Sequence, residues 1–188
     1  KVLEKTPGCM PEIFRVGDWI DLKTAKDIHL NVPIATTLTR KKPKEEEGGG
    51  LKSEKNRKVL FNTALIPLGV AMELPAGYEA VVIPRSSTFK KFGIMQTNSV
   101  GLIDNSYKGN NDEWKMPVIA TREVSIPKGT RIAQFRIQLS QKATLWQKIK
   151  SIFSLTVRLQ QVNSLEGPDR KGFGEGTDKI NFKEKENV

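Results

Sequence analysis

Between residues 59 and 139 most of the chain reads as short strands, punctuated by Pro and Gly at short intervals. "VLFNTALIPLGVAMELPAGYEAVVIPRSS" and "MPVIATREVSIPKGTRIAQFRIQL" alternate short apolar stretches with Pro and Gly. Within them, "IPLGVAMELPAGY" and "REVSIPKGTRIAQF" repeat one pattern: an apolar strand, a Pro, a small residue or Lys, a Gly, then a new strand. Pro fixes φ and Gly supplies the left-handed conformations of tight turns. Such spacing confines the chain to short strands and predicts an all-β sandwich or barrel.

Three segments depart from that pattern. "RKKPKEEEGGGLKSEKNRK" (40–58) is charged, Gly-rich and nearly free of large apolar groups. It cannot bury enough surface to offset its ordering entropy, so it reads as an exposed, mobile insertion. "LWQKIKSIF" (145–153) spaces Trp146, Ile149 and Ile152 or Phe153 at helical intervals with Lys148 and Lys150 between them. This predicts a short inserted helix within residues 143–154, packed on its own protein or on an oligomer neighbour in preference to a membrane. "VRLQQVNSL" reads as a last strand. The organisation expected is one β domain over residues 1–165 and a flexible, Gly-rich and charged tail over 166–188.

Composition narrows the chemistry. Cys9 is the only cysteine and His29 the only histidine. A zinc site has too few ligands, and a Cys/His nucleophile has little context around it. A single thiol fits a reducing, cytoplasmic setting. No run of apolar residues is long enough to cross a bilayer, and the start of the chain lacks the apolar stretch of a signal peptide. The net charge of +10 favours an anionic partner such as a phosphorylated small molecule. No platform of aromatic and basic strand residues points to stable nucleic-acid binding.

Four short strings carry candidate chemistry. In "IPRSSTFKKFG" (83–93), Arg85, Ser86 and Ser87 end an apolar strand and would cradle phosphate, although Ser residues also close ordinary turns. In "RIAQF" (131–135), Gln134 can donate hydrogen bonds. In "DRKGFGEG" (169–176), Gly residues allow backbone N–H groups close to phosphate, Arg170 offers a planar fork, and Phe173 could stack on a base. "NSVGLIDNSYKG" (98–109) reads as strand, turn and strand, with Asp104 framed by Val100, Leu102 and Ile103 and followed by Tyr107. Singly, Asp104 would be an ordinary turn aspartate and Tyr107 a half-buried strand aromatic.

Taken in order, these strings resemble the trimeric all-β dUTPases. That family carries five motifs, and "GDWIDL" (17–22), "PRSS" (84–87), "NSVGLIDNSYKG" (98–109), "RIAQ" (131–134) and "DRKGFGEGT" (169–177) are similar to them in sequence order. The resemblance implies a distorted jelly-roll or barrel-like β-subunit and a homotrimer. In that trimer each site takes its phosphate motifs, its uracil hairpin and its tail from three different subunits. Backbone groups from Asn98 through Gly101, Leu102 and Ile103 would bond the uracil edge. Cytosine would leave buried groups unpaired there, a mismatch that can discriminate by about 10⁴. Tyr107 would stack under the deoxyribose. Asp104 would activate a water for attack on the α-phosphorus, with its apolar frame expected to raise its pKa. Arg85, Ser86, Ser87 and Gln134 would contact phosphate oxygens. Mg²⁺ would bridge the phosphates through waters near Asp21. Arg170 would pair with the γ-phosphate, and Phe173 and Gly174 would belong to a lid over the base. The products implied are dUMP and pyrophosphate.

The chain departs from the family pattern in two motifs. Trp19 stands in the first motif where a small residue and Gly are usual. Glu175 stands in the fifth where a hydroxyl is usual, and its carboxylate would repel phosphate unless it turned outward or Lys179 offset it. Two other functions share these features. dCTP deaminases have the same fold but tend to read Asp-Pro-Gly-Phe where this chain has Asp104-Asn105-Ser106-Tyr107. A dUTP-binding regulatory trimer with little turnover is the non-enzymatic reading.

Overall fold

Alternation along the sequence becomes alternation between core and surface. The computed structural model describes residues 1–14, 17–31, 34–38, 56–60, 62–153 and 157–170. Among these residues the strands are β1 (Val2–Glu4), β2 (Ile20–Lys23), β3 (Ile28–Leu30), β4 (Ile34–Leu38), β5 (Asn56–Leu60), β6 (Asn62–Pro67), β7 (Val70–Met72) and β8 (Tyr78–Pro84), then β9 (Ile94–Gln96), β10 (Gly101–Ile103), β11 (Lys115–Ala120), β12 (Val124–Ile126), β13 (Arg131–Leu139) and β14 (Gln161–Val162). Two helices interrupt them, α1 (Thr88–Phe92) and α2 (Leu145–Ile152). In β11, Met116, Val118 and Ala120 are buried while the residues between them are not, the period of two that a strand imposes.

The strands form short sheets in the orders β10-β8-β13-β2, β6-β11-β9, β14-β1-β7, β12-β3 and β4-β5. The arrangement is all-β and jelly-roll-like, without a closed barrel among the described residues. A register shift between Arg131 and Ala133, where β13 meets β2, lets Ile132 and Ala133 both turn inward. Inside the main sheet the Trp114 and Phe135 rings meet edge to face, 5.1 Å apart at 80°, and both are fully buried.

The helix read over 145–153 is present as α2. Thr144 caps it in a reciprocal box with Gln147. None of its residues is buried, and Trp146, Ile152 and Phe153 are at least 72% exposed, so its apolar face is largely uncovered among the described residues. Helix α1 was not legible as a helix. Its five residues are too few for a periodic signal, and its turn is fixed instead by Thr88, whose buried hydroxyl donates to the Ile132 carbonyl at 2.6 Å. Of the insertion read over 40–58, Asn56–Lys58 belong to β5, which pairs with β4, and residues 40–55 lie outside the described residues. In the segment read as a last strand, Gln161–Val162 form β14 beside β1.

Candidate active site

The main sheet carries two groups of candidate residues, one at each end of β8. At its C-terminal end, β13 and β2 bring Gln134 opposite both Ile83 and Asp21, while Arg85 follows directly after β8. A cleft of about 440 Å³ opens there, lined by Asp21, Arg85, Arg131, Gln134, Phe14 and Trp19 among others. Asp21 lies almost wholly inside, at 4% exposure, a burial a carboxylate tolerates only when paired. Its partners are the Arg85 Nε at 2.9 Å and the Arg131 guanidinium at 3.3 Å. Arg131 also lies 5.1 Å from the Phe14 ring centre. The result is an arginine pair held by the buried Asp21, with Asp18 also at the cleft and Glu12 3.9 Å from Arg131.

The serines of the second motif fall at the edge of this group. Ser86 is exposed, Ser87 precedes α1 without a side-chain capping bond, and neither lines the cleft. The Gln134 amide reaches the Pro84 carbonyl at 3.5 Å. Arg131 was missed in the sequence although it opens the same string as Gln134. Its pairing with Asp21 joins positions far apart in the chain, which no local pattern reveals.

At the other end of β8, Gly101, Leu102 and Ile103 form β10, paired to Val82, Val81 and Ala80. β10 is the outer strand of its sheet, so one side of its backbone meets no strand among the described residues. Gly101 keeps that approach tight, since a Cβ there would meet Val82 at 3.3 Å. Leu102 is 68% exposed and Ile103 is buried. Asn98 is exposed, and its side-chain oxygen accepts from Gln96 at 2.8 Å. Ser99 has φ of 56°, which makes the sharp entry to β10.

A hairpin was expected over 98–109, and the structure corrects it. β10 pairs with β8, and the next strand, β11, belongs to another sheet. The chain leaves β10 by a turn in which the Asp104 carboxylate accepts from the Ser106 N–H at 2.8 Å and from the Ser106 hydroxyl. Asn105 pulls the loop aside by donating to the Leu74 carbonyl at 2.7 Å. Tyr107 turns into the core, 8% exposed, with its hydroxyl donating to the Glu113 carbonyl at 3.0 Å. Burial first, then the Asp112 and Glu113 charges, push that phenol up to about 12.

Asp104 itself remains half exposed, and the Arg170 guanidinium pairs with it at 2.7 Å. Its apolar frame was expected to raise its pKa, and that direction is reversed. Partial burial does push the carboxylate up. The Ser106 hydrogen bonds, then the hydrogen bond and charge of Arg170, outweigh it and hold the group below its ordinary value. The deciding partner lies 66 residues away in sequence, beyond the reach of local reading.

The tail read as flexible over 166–188 is held at its root. Arg170 belongs to a hydrogen-bonded segment on the 104–113 loop, while Phe173, Gly174, Glu175 and Lys179 lie outside the described residues. Cys9 and His29 make no nucleophile pair. The Cys9 thiol is buried against the Thr24 carbonyl, and the His29 ring nitrogens meet Ser125 and Asn31. Among the described residues no group of three His, Cys, Asp or Glu could hold a metal ion. With Asp21 already engaged by two arginines, the donor set suits Mg²⁺ that arrives on a polyphosphate with its waters, not one caged by the protein.

Comparison with known proteins agrees with the sequence motifs. The family model described as dUTPase matches residues 35–160. The SPbeta prophage-derived deoxyuridine 5'-triphosphate nucleotidohydrolase of Bacillus subtilis (strain 168) is 43% identical over 158 residues, which is 84% of this chain and 82% of its own. A deoxyuridine 5'-triphosphate nucleotidohydrolase of Bifidobacterium longum (strain DJO10A) is 37% identical over 119 residues, 61% of this chain and 65% of its own. In structure, the dUTPase of Streptococcus mutans superposes with a TM-score of 0.52 at 20% identity, covering 70% of this chain and 86% of its own. The Staphylococcus bacteriophage 80alpha dUTPase with dUPNHPP gives 0.51 at 18% identity, covering 95% of this chain and 98% of its own.

Proposed function

As the chain belongs to the dUTPase family, we propose that this enzyme hydrolyses dUTP to dUMP and pyrophosphate by attack of an Asp104-activated water on the α-phosphorus. The observation that carries this reading is Asp104 itself. It is a half-exposed carboxylate fixed by Ser106 at the end of an outer strand whose outer backbone edge meets no strand among the described residues. Asn98, Gly101, Leu102 and Ile103 would line the base along that edge, and the buried Tyr107 would carry the sugar. Asp104 would take a proton from water as the water oxygen bonds to the α-phosphorus. The bond from that phosphorus to the bridging oxygen would break, and pyrophosphate would leave with the bond electrons. Magnesium borne by the triphosphate would neutralise its charge, and Asp21 would face its water shell. Arg85, Arg131 and Gln134 would clamp phosphate oxygens, with Ser86 and Ser87 at the rim and Arg170 reaching the γ-phosphate. Phe173 and Gly174 would close over the base.

The two ends of β8 also support a shared site in a homotrimer. Asp104 lies beside the Ala80 end and Arg85 follows Pro84, so roughly 17 Å of strand separates the proposed base-activating carboxylate from the phosphate clamp. That separation favours a site in which the Asp104 end of one copy meets the Arg85 end of another. A single buried thiol suits a reducing cytoplasm. No helix among the described residues is long and apolar enough to cross a membrane.

Hydrolysis in oxygen-18 water tests the chemistry. The label found in dUMP supports attack at the α-phosphorus. Label found only in pyrophosphate contradicts it, and ammonia from dCTP with its triphosphate intact would favour the deaminase reading.

A further inference from the structure

Asp104 is gripped on both sides along its own chain. Before it, Ile103 is buried and pairs with Ala80, near the start of β8. After it, Asn105 donates its side-chain amide to two carbonyls at once, Leu74 at 2.7 Å and Pro75 at 3.0 Å. Those carbonyls belong to the turn that leads into the same β8. The turn is stiff for local reasons. Leu74 is buried, and the Tyr78 N–H donates to the Pro75 carbonyl at 3.1 Å. Gly77 takes a φ of 82°, and its carbonyl accepts from the Ser140 N–H at 2.9 Å. Both grips on Asp104 thus end on the first residues of one strand and the turn before it, which leaves the Asp104 backbone little freedom.

A second set of bonds fixes the side chain. The Tyr107 N–H donates to the Asp104 carbonyl at 3.1 Å and closes a turn over 104–107. Inside this turn the Ser106 N–H, at 2.8 Å, and the Ser106 hydroxyl both donate to one carboxylate oxygen, Oδ1. An aspartate turn needs only the backbone bond. The hydroxyl is an addition, and it falls on the same oxygen. Oδ2 is left outside the turn and is the oxygen that a group from elsewhere can reach, as the Arg170 guanidinium does at 2.7 Å.

We propose that Asn105 and Ser106 are positioning residues for the water-activating carboxylate, Asn105 setting where Asp104 stands and Ser106 setting which of its oxygens, Oδ2, accepts the proton. This rests on the reading of Asp104 as the base. With two donors on Oδ1, the lone pairs of that oxygen are engaged, and Oδ2 is the one with acceptor capacity to spare. A proton passes from water to Oδ2 while the water oxygen bonds to the α-phosphorus. The grip of Asn105 keeps Oδ2 in one place, and a displacement of about 1 Å at such a step can cost about 10² in rate.

Three variants test this. Ser106→Ala keeps the backbone bond and removes the hydroxyl, Ser106→Thr restores a hydroxyl, and Asn105→Ala removes both side-chain donors to the turn. Ser106→Ala should lower kcat for dUTP with Mg²⁺ by about tenfold while KM moves less than about twofold, and Ser106→Thr should recover most of the loss. Asn105→Ala should lower kcat by about 10². Two readouts need no turnover. In carbon-13 NMR of the labelled carboxyl, assigned with Asp104→Asn, Asp104 should titrate at higher pH in Ser106→Ala than in the wild type, because a donor to the charged form is gone. Arg170 is the charged group that faces Asp104, so the titration is repeated with Arg170→Ala in both proteins, and the upward shift should persist. Amide exchange should quicken at Ser106 and Tyr107 in Asn105→Ala and stay unchanged in β8. An Asp104 carboxyl that titrates alike with and without the Ser106 hydroxyl would overturn the proposal, as would a wild-type kcat in Ser106→Ala or Asn105→Ala. A wild type that releases no pyrophosphate would sink the dUTP reading, while the titration and the exchange still decide whether these two residues hold the carboxylate.

Discussion

Asp104 sits between opposing influences. Burial resists its charge, and Ser106 and Arg170 favour it, with the net direction downward. A carboxylate whose pKa is lowered in the folded protein stays ionised below the ordinary aspartate value and loses its charge only as pH falls through the lowered one. The acid limb of kcat/KM, which reports the free enzyme, is therefore expected below the usual aspartate range. Arg170→Ala should move that limb upward, and a pH profile of the two proteins checks this. A limb that is unmoved in the variant would mean that Arg170 does not act on Asp104 in solution. The acid and the phenol were legible at 98–109 because their chemistry is written in adjacent letters. The direction of the shift was not, because the arginine that sets it arrives from the far end of the chain.

At the scale of elements, the strands were legible where apolar and polar residues alternate, as in β11, and where Pro and Gly mark turns. What the sequence hid was pairing. Residues 98–109 read as a hairpin, yet β10 pairs with β8, and Asn105 in the following loop donates to the Leu74 and Pro75 carbonyls. Nothing local records that a turn will be pulled onto a distant carbonyl. The helix α2 gives the opposite case, a segment whose periodicity and cap are clear but whose apolar face remains bare. Its stability is then local. Thr144→Ala removes the capping box and should cost the helix about 1 kcal/mol. Hydrogen exchange should rise in residues 145–152 while the global denaturation midpoint stays put, since α2 contributes no buried residue to the core. A matching fall in the global midpoint would show that α2 is integral to the fold.

For the whole molecule, the proposed site shared between subunits would make assembly part of the chemistry. Light scattering should report a mass of three chains. A stable monomer that turns over dUTP would contradict the proposed shared site. The excess of positive charge over the chain and the two arginines at Asp21 suit an anionic substrate, but neither identifies a base. The most direct test is therefore pyrophosphate release with Mg²⁺ from dUTP, beside dTTP, dCTP and UTP, on the wild type and on Asp104→Asn. The expected result is rapid release from dUTP alone, reduced by about 10² to 10⁴ in the variant, the range for loss of a general base. Equal release from all four nucleotides, or an Asp104→Asn protein as fast as the wild type, would contradict the account.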